Sequence, residues 1–372
     1  MQNPFYYGGV VYDEHFCDRT TEIETIKNDV EAGMNLLIYA PRRFGKTSLV
    51  MKALGELEKK EGFHTVFVDL MPITDKREFI DAYFHAIAAS LRGPAEKIVA
   101  FFKQVAKIRP NVTVSFDAAG NPRYALSFSS RDIQATLDEV LETPLLYARS
   151  GKRIVVVFDE FQQIVQLGLE AKLRSVVQRH GSEVSYLFMG SKQSLMREIF
   201  TDKNRAFYKS VKHLPLGPIG EEEWRAYIRD GFERTGKNVD DEVIAAILSV
   251  SAGFPYYTQQ LAYEIWEMTP KNADMEIFAK ALRLVLEREE DLFRQEWERL
   301  TLTQRKALKL IIAAEGKEIY AAHHLEAFSI TSSTLQKAVK ALLKKDIIDE
   351  TAGTYRPQDP LFGYWIAHQG NS

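Results

Sequence analysis

Eight residues constrain this chain more than any others: Ala40-Pro41-Arg42-Arg43-Phe44-Gly45-Lys46-Thr47. They follow the apolar run Leu36-Leu37-Ile38-Tyr39 and lead into Ser48-Leu49-Val50-Met51-Lys52-Ala53-Leu54, so the local order is strand, loop, helix. A phosphate-binding loop requires that setting, because backbone N–H groups and the positive end of the following helix surround the anion. Lys46 then reaches the outer phosphate oxygens of a nucleoside triphosphate, Thr47 offers a hydroxyl to magnesium, and Gly45 lets the backbone come close. The pattern has glycine where this chain has Ala40. If that position needs positive φ, alanine costs about 1 kcal/mol or more and loosens the loop without abolishing it. A chance Gly-Lys-Thr at a helix start is the bland alternative, and the flanking strand and a second motif weigh against it.

The second motif is Ile154-Val-Val-Val-Phe158-Asp159-Glu160, an apolar strand ending in two carboxylates. Ligands of open α/β sheets are expected at the carboxyl ends of strands. Asp159 is expected to hold magnesium through its water shell, and Glu160 to orient and deprotonate the water that attacks the γ-phosphate. Met189-Gly190-Ser191 ends a further strand, which sets the Ser191 hydroxyl beside those acids as a γ-phosphate sensor, with helix capping as a competing or shared role. Arg205 has two readings: an arginine finger on a neighbouring subunit's ATP, which makes assembly nucleotide-dependent, or a surface arginine.

Strands over His64 to Leu70, Val184 to Met189 and Lys212 to Leu216, alternating with helices over Thr20 to Gly33, Lys76 to Leu91 and Arg131 to Ala148, imply an α/β three-layer core with a parallel sheet. Thr21 is the expected cap of the first helix. Alternation over Val112–Phe116 and Tyr124–Phe128 around Gly120-Asn121-Pro122 predicts a β-hairpin inserted at about 110–130. The expected division is a core over 1–219, a helical lid over 220–299 and a winged helix-turn-helix over 300–372. At 372 residues, 45% hydrophobic and 27% charged, the composition is that of folded domains, and a net charge of −3 argues neither for nor against nucleic acid. A lone Cys17, no signal-peptide pattern and no apolar run long enough to cross a bilayer predict a cytoplasmic protein without membrane spans. His323-His324 reads as a surface pair.

At the C-terminus, helices over Thr301–Ala314, Tyr320–Phe328 and Ser332–Lys345 precede Asp346–Glu350, a turn at Gly353 and Tyr355-Arg356. Three helices and a two-stranded ribbon make a winged helix. Its third helix turns Ser333, Gln336, Lys337 and Lys340 outward, with the lysines suited to DNA phosphates and Gln336 to a base edge. Acidic residues nearly balance the basic ones, so a protein-binding or autoinhibitory module is the stronger expectation. The tail from Tyr355 to Trp365 is expected to pack the wing.

These motifs, in this order, resemble the archaeal-type ATPase family of the STAND ATPases, a branch of the AAA+-related P-loop NTPases. The resemblance rests on Asn3-Pro4-Phe5, Phe16-Cys17-Asp18-Arg19 with Glu22, the loop Pro41–Ser48, the strand Ile154–Glu160 and Ala252-Gly253-Phe254-Pro255. It implies an AAA+-like core binding ATP or ADP with magnesium, with Pro41 to Ser48 as the cradle, an N-terminal box near the adenine and Pro255 approaching the base. The lid segment carries no arginine like the second sensor of typical AAA+ proteins. That favours a slow ATPase in which nucleotide switches conformation over a processive motor.

Overall fold

Unbroken apolar runs leave no strand face that water can solvate, so the strands they form must be covered on both sides. That is their arrangement in the computed structural model, which describes every residue except 1, 12–14, 61, 92, 105–110, 352, 369–372 and the side chain at 104. Helices α1 (Thr20–Glu31), α2 (Lys46–Leu57), α3 (Lys76–Ser90), α4 (Ala95–Gln104), α5 (Ile133–Ala148), α6 (Glu170–His180) and α7 (Gln193–Thr201) alternate with strands β1 (Leu36–Tyr39), β2 (Phe63–Asp69), β5 (Arg153–Asp159), β6 (Val184–Gly190) and β7 (Lys212–Pro215). These five strands form one parallel sheet in the order β2-β5-β6-β1-β7. A separate hairpin, β3 (Asn111–Phe116) with β4 (Pro122–Ser127), fills the expected insertion.

Pleating splits each strand between two faces. Val156, Phe158, Tyr186 and Phe188 enter a core shared with α3, α5, α6 and α7. Val155, Val157, Leu187 and Met189 are as deeply buried on the other face, where the Ser185 hydroxyl donates to the Val30 carbonyl of α1 at 3.0 Å. Helices α1 and α2 pack on each other there, giving three layers. Thr21 does not cap α1: Arg19 precedes the first turn at φ 72°, makes no side-chain cap bond, and Thr21 lies inside the helix.

The chain forms two compact units, one of Arg19–Ala40 with Lys46–Leu216 and the other of Met1–Asp18 and Pro41–Gly45 with Gly217–Ser372. The second unit contains α8 (Glu221–Glu233), β8 (Asn238–Val239), α9 (Asp241–Ser251), α10 (Pro255–Met268), β9 (Asn272–Ala273) and α11 (Met275–Glu298). Phe5, 2% exposed, packs against Tyr227 and Phe232 of α8, and the bare Cα of Gly231 makes room for its ring.

The same unit holds α12 (Leu302–Ala313), α13 (Ala322–Ala327), α14 (Ser332–Lys344) and the antiparallel β10 (Ile348–Thr351) and β11 (Thr354–Pro357). Thr301 and Gln304 cap α12 reciprocally, and Thr331 caps α14. The tail does more than pack the wing. Asp359 caps and Pro360 opens α15 (Pro360–His368), which lies against α9, α11 and α12, with Phe362 and Trp365 on Phe293.

Candidate functional site

The sheet order sets β6 between β1 and β5, so the ends of these three strands, with the acids after β5 and Ser191 after β6, emerge side by side at one sheet edge. Thr47, at the start of α2, donates its hydroxyl to Asp159 Oδ2 at 3.0 Å. Lys46, 7% exposed, turns its ammonium onto the Ala40 carbonyl at 2.9 Å. Burial raises the Asp159 carboxyl above its ordinary value, against the lowering effect of the Glu160 N–H, the Thr47 hydroxyl and the Lys46 charge. A hydroxyl and a carboxylate facing each other are hard oxygen donors of the kind magnesium takes, so the residues fit that ion.

Packing fixes the acids from behind. Phe158 stacks with Tyr83, Tyr186 and Phe188 in an aromatic column, and Phe161 wedges against Phe188 at 4.5 Å. Between these anchors Glu160 adopts a left-handed conformation, φ 50° and ψ 44°, an uncommon geometry for a side-chain-bearing residue. The Ser191 hydroxyl donates to Glu160 Oε2 at 2.9 Å, and the Gln162 amide donates to the same oxygen. Ser191 thus stands beside Glu160, as expected.

Ala40 is absent from the positive-φ positions of the loop, which are Arg43 at 64° and Gly45 at 77°. The missing glycine therefore carries no dihedral penalty here.

Residues Pro41–Gly45 belong to the second unit, and Arg43 is bound there. Its carbonyl accepts from the Tyr256 N–H at 3.3 Å, its guanidinium stacks over the Tyr256 ring at 4.5 Å, and Nη1 donates to the Tyr257 hydroxyl at 3.1 Å. Tyr257 in turn donates to Asp359, the cap of α15. Burial and the Asp359 carboxylate push the Tyr257 phenol far above its usual value, which keeps it an O–H donor, while burial raises Asp359. Phe44 meets Phe254 edge-on at 4.7 Å, and a Cβ on Gly45 would lie 4.0 Å from Pro255. Arg42 is exposed and Ser48 is buried in α2.

Arg205 is engaged by other partners, Glu170 at 2.7 Å and Glu198 at 3.2 Å. In α14, Ser333, Gln336, Lys337 and Lys340 are all exposed, with Leu335, Ala338, Val339 and Leu342 buried opposite. The N-terminal segment lies on the lid, where Asn3 donates to the Tyr263 carbonyl at 3.2 Å, while Arg19 pairs with Glu22 at 2.7 Å. Sequence reading passed over Gln162, Tyr257 and Asp359. For Tyr257 the available signal was a phenol hydroxyl that needs a partner once buried. For Asp359 it was the Asp-Pro pair that opens a helix.

A family model described as an ATPase domain predominantly from Archaea matches residues 16–261, and one for a probable winged helix domain matches residues 291–368. An uncharacterized ATP-binding protein of Methanocaldococcus jannaschii is 23% identical over 154 residues, 40% of this chain and 38% of that relative, so the match spans well under half of the relative's length. Among solved structures, the Walker-type ATPase of Pyrococcus abyssi is similar with a TM-score of 0.66 at 18% identity, covering 95% of this chain and 96% of that one. The Aeropyrum pernix ORC2 protein gives 0.55 at 14% identity over 97% and 98%. The ORC1 protein of the same organism, in complex with DNA, gives 0.50 at 14% identity over 95% and 93%. At these identities the likeness is one of fold. No helix among the described residues is long and apolar enough to cross a membrane.

Proposed function

The chain belongs to the family of ATPase domains found predominantly in Archaea, and from that premise we propose a slow, magnesium-dependent ATPase whose bound nucleotide switches its conformation, in the manner of STAND proteins. The contact that carries the ATPase reading is Thr47 on Asp159 at 3.0 Å, a hydroxyl and a carboxylate suited to one magnesium ion. The backbone of Pro41 to Ser48 cradles the phosphates of ATP, Lys46 exchanges the Ala40 carbonyl for phosphate oxygens, and Pro255 lines the nucleotide beside Gly45. Thr47 would ligate magnesium directly and Asp159 through water. Once bound, the ion would supply positive charge against the phosphate oxygens.

Glu160 orients a water and takes its proton as the water oxygen bonds to the γ-phosphorus. The bond from that phosphorus to the bridging oxygen breaks, and its electron pair leaves on ADP. Ser191, bonded to Glu160, senses the γ-phosphate. Arg205 acts in this scheme only on a neighbouring subunit's ATP, and assembly would first have to free it from Glu170 and Glu198.

The switch reading rests on Arg43. A residue of the phosphate loop is joined through Tyr257 to the cap of the last helix, so loop conformation and the C-terminal module share bonds. The test uses two variants. Glu160→Gln is expected to retain ATP with turnover lost, and Lys46→Ala to lose nucleotide, read by mass analysis of the bound small molecule and by phosphate release. Equal turnover in Glu160→Gln would remove the proposed base.

A second reading, a nucleotide-loaded DNA-binding or scaffold protein that hydrolyses little, is favoured by the exposed Gln336, Lys337 and Lys340 and by the fold shared with a protein solved on DNA. A mobility-shift assay at stepped salt, with and without both lysines, tests it. No binding at low salt ends it.

A further inference from the structure

Gln162 is 2% exposed, and its amide oxygen Oε1 is buried without a hydrogen-bond partner among the described residues. Leaving such an atom unpaired is a cost that an apolar side chain of the same length would avoid. What the glutamine supplies in return is its Nε2, donated to Glu160 Oε2. Gly190 makes that pose attainable. A Cβ there would meet Gln162 Oε1 at 2.6 Å and Met196 Sδ at 2.5 Å, so the bare end of β6 is what lets the amide lie beside it. Gly190 needs glycine for this close approach and not for its backbone angle, since its φ is not positive.

The consequence falls on the carboxylate. Glu160 Oε2 receives two donors, Gln162 Nε2 and the Ser191 hydroxyl at 2.9 Å, whereas Oε1 receives none among the described residues. A carboxylate with one oxygen doubly bonded is fixed in rotation and presents the other as its open acceptor. We propose that Gln162 is a positioning residue for Glu160, pinning Oε2 so that Oε1 takes the proton of the attacking water. The inference deepens the ATPase reading above and rests on it. Gln162 acts through Glu160 and touches no reacting atom.

Gln162→Met keeps the length of the side chain and removes the donor together with the unpaired oxygen. The expected result is a kcat for Mg-ATP about 10- to 100-fold lower, with the KM for ATP within about twofold and a melting temperature equal to or above that of the parent chain. A residue that only packs would lose stability first and would not split kcat from KM. Gln162→Glu keeps the volume but sets a second carboxylate against Glu160. Repulsion between the two would displace the Glu160 carboxylate instead of pinning it, so kcat should fall at least as far as in Gln162→Met with KM again little changed.

Unchanged or increased kcat in Gln162→Met overturns the proposal, as does a fall in kcat that tracks a fall in melting temperature in both variants. Glu160→Gln is the benchmark that separates the two levels. If the parent chain releases no phosphate from Mg-ATP, the ATPase reading itself fails, and if Glu160→Gln turns over normally, Glu160 is not the base and has nothing to be positioned for. If that variant is inactive while Gln162→Met matches the parent chain, only the positioning role fails.

Discussion

Tyr257→Phe isolates the tether between the phosphate loop and the C-terminal helix. The phenyl ring, 2% exposed and packed against Phe254 and Tyr256, stays in place, so the change removes an oxygen and little packing. Two hydrogen bonds to charged groups go with it, from Arg43 at 3.1 Å and to Asp359. Such bonds contribute about 1.5–3 kcal/mol each, but both partners keep other contacts: Arg43 retains the Tyr256 face at 4.5 Å and Glu289 at 3.9 Å, and Asp359 retains the Phe362 N–H at 3.0 Å. A net loss of about 2–3 kcal/mol from the tethered state is therefore expected. That shifts the balance between tethered and released loop by roughly 30- to 150-fold, at 1.4 kcal/mol per decade. The assay is stopped-flow release of a fluorescent ADP analogue, paired with amide hydrogen exchange over 360–368. Release should quicken by tens of fold and exchange in the last helix should rise. Tyr256→Phe is the control, because the stack survives without its hydroxyl. Equal effects in the two variants, or an unchanged release rate in Tyr257→Phe, would refute the coupling.

Two further expectations concern the loop and its acid. Ala40 is 1% exposed and outside the left-handed region, so Ala40→Gly deletes a buried methyl and adds backbone freedom. It should destabilise the fold by roughly 1–2 kcal/mol in urea unfolding while leaving ATP affinity within about twofold, and a marked gain in affinity would contradict the dihedral assignment. Asp159 carries a carboxyl raised by burial. Its contribution to stability is present in full below the ordinary value of 3.8 and is lost as pH climbs through the raised folded value. In magnesium-free buffer, the melting temperature of Asp159→Asn should therefore gain on that of the parent chain as pH rises through this window, then level off. A gap independent of pH would show that the burial penalty is not felt.

The elements legible in the sequence are those specified by local pattern. The apolar run before Asp159-Glu160 can only be a covered strand, the loop before Lys46 can only sit between a strand and a helix, and the alternation on either side of Gly120 folds back as the β3–β4 hairpin. Helix α6 was harder to read, because only Leu173, Val176, Val177 and His180 are buried in a segment otherwise rich in charge. The tether was out of reach for a different reason. Arg43 and Tyr257 lie 214 residues apart, and Tyr257 and Asp359 a further 102, so no window of sequence brings them together. Gln162 was within reach, two residues past Glu160, but only the packing around Gly190 shows that its amide turns back toward the acid.

Arg43 also ties the tether to the shape of the anion cradle. At φ 64° a residue bearing a side chain sits about 1–2 kcal/mol above its ordinary conformations, so something must hold it there. The Tyr256 N–H on its carbonyl, the aromatic stack and the Tyr257 hydroxyl are the contacts that do so. With Gly45 at φ 77°, the loop has left-handed residues on both sides of Phe44, and left-handed turns of this kind aim successive N–H groups at an anion. The dihedral that the tether stabilises is thus one of those that aim the donors. If phosphate favours the same dihedral, each strengthens the other by an equal free energy, and nucleotide affinity must report on the last helix as faithfully as the last helix reports on nucleotide.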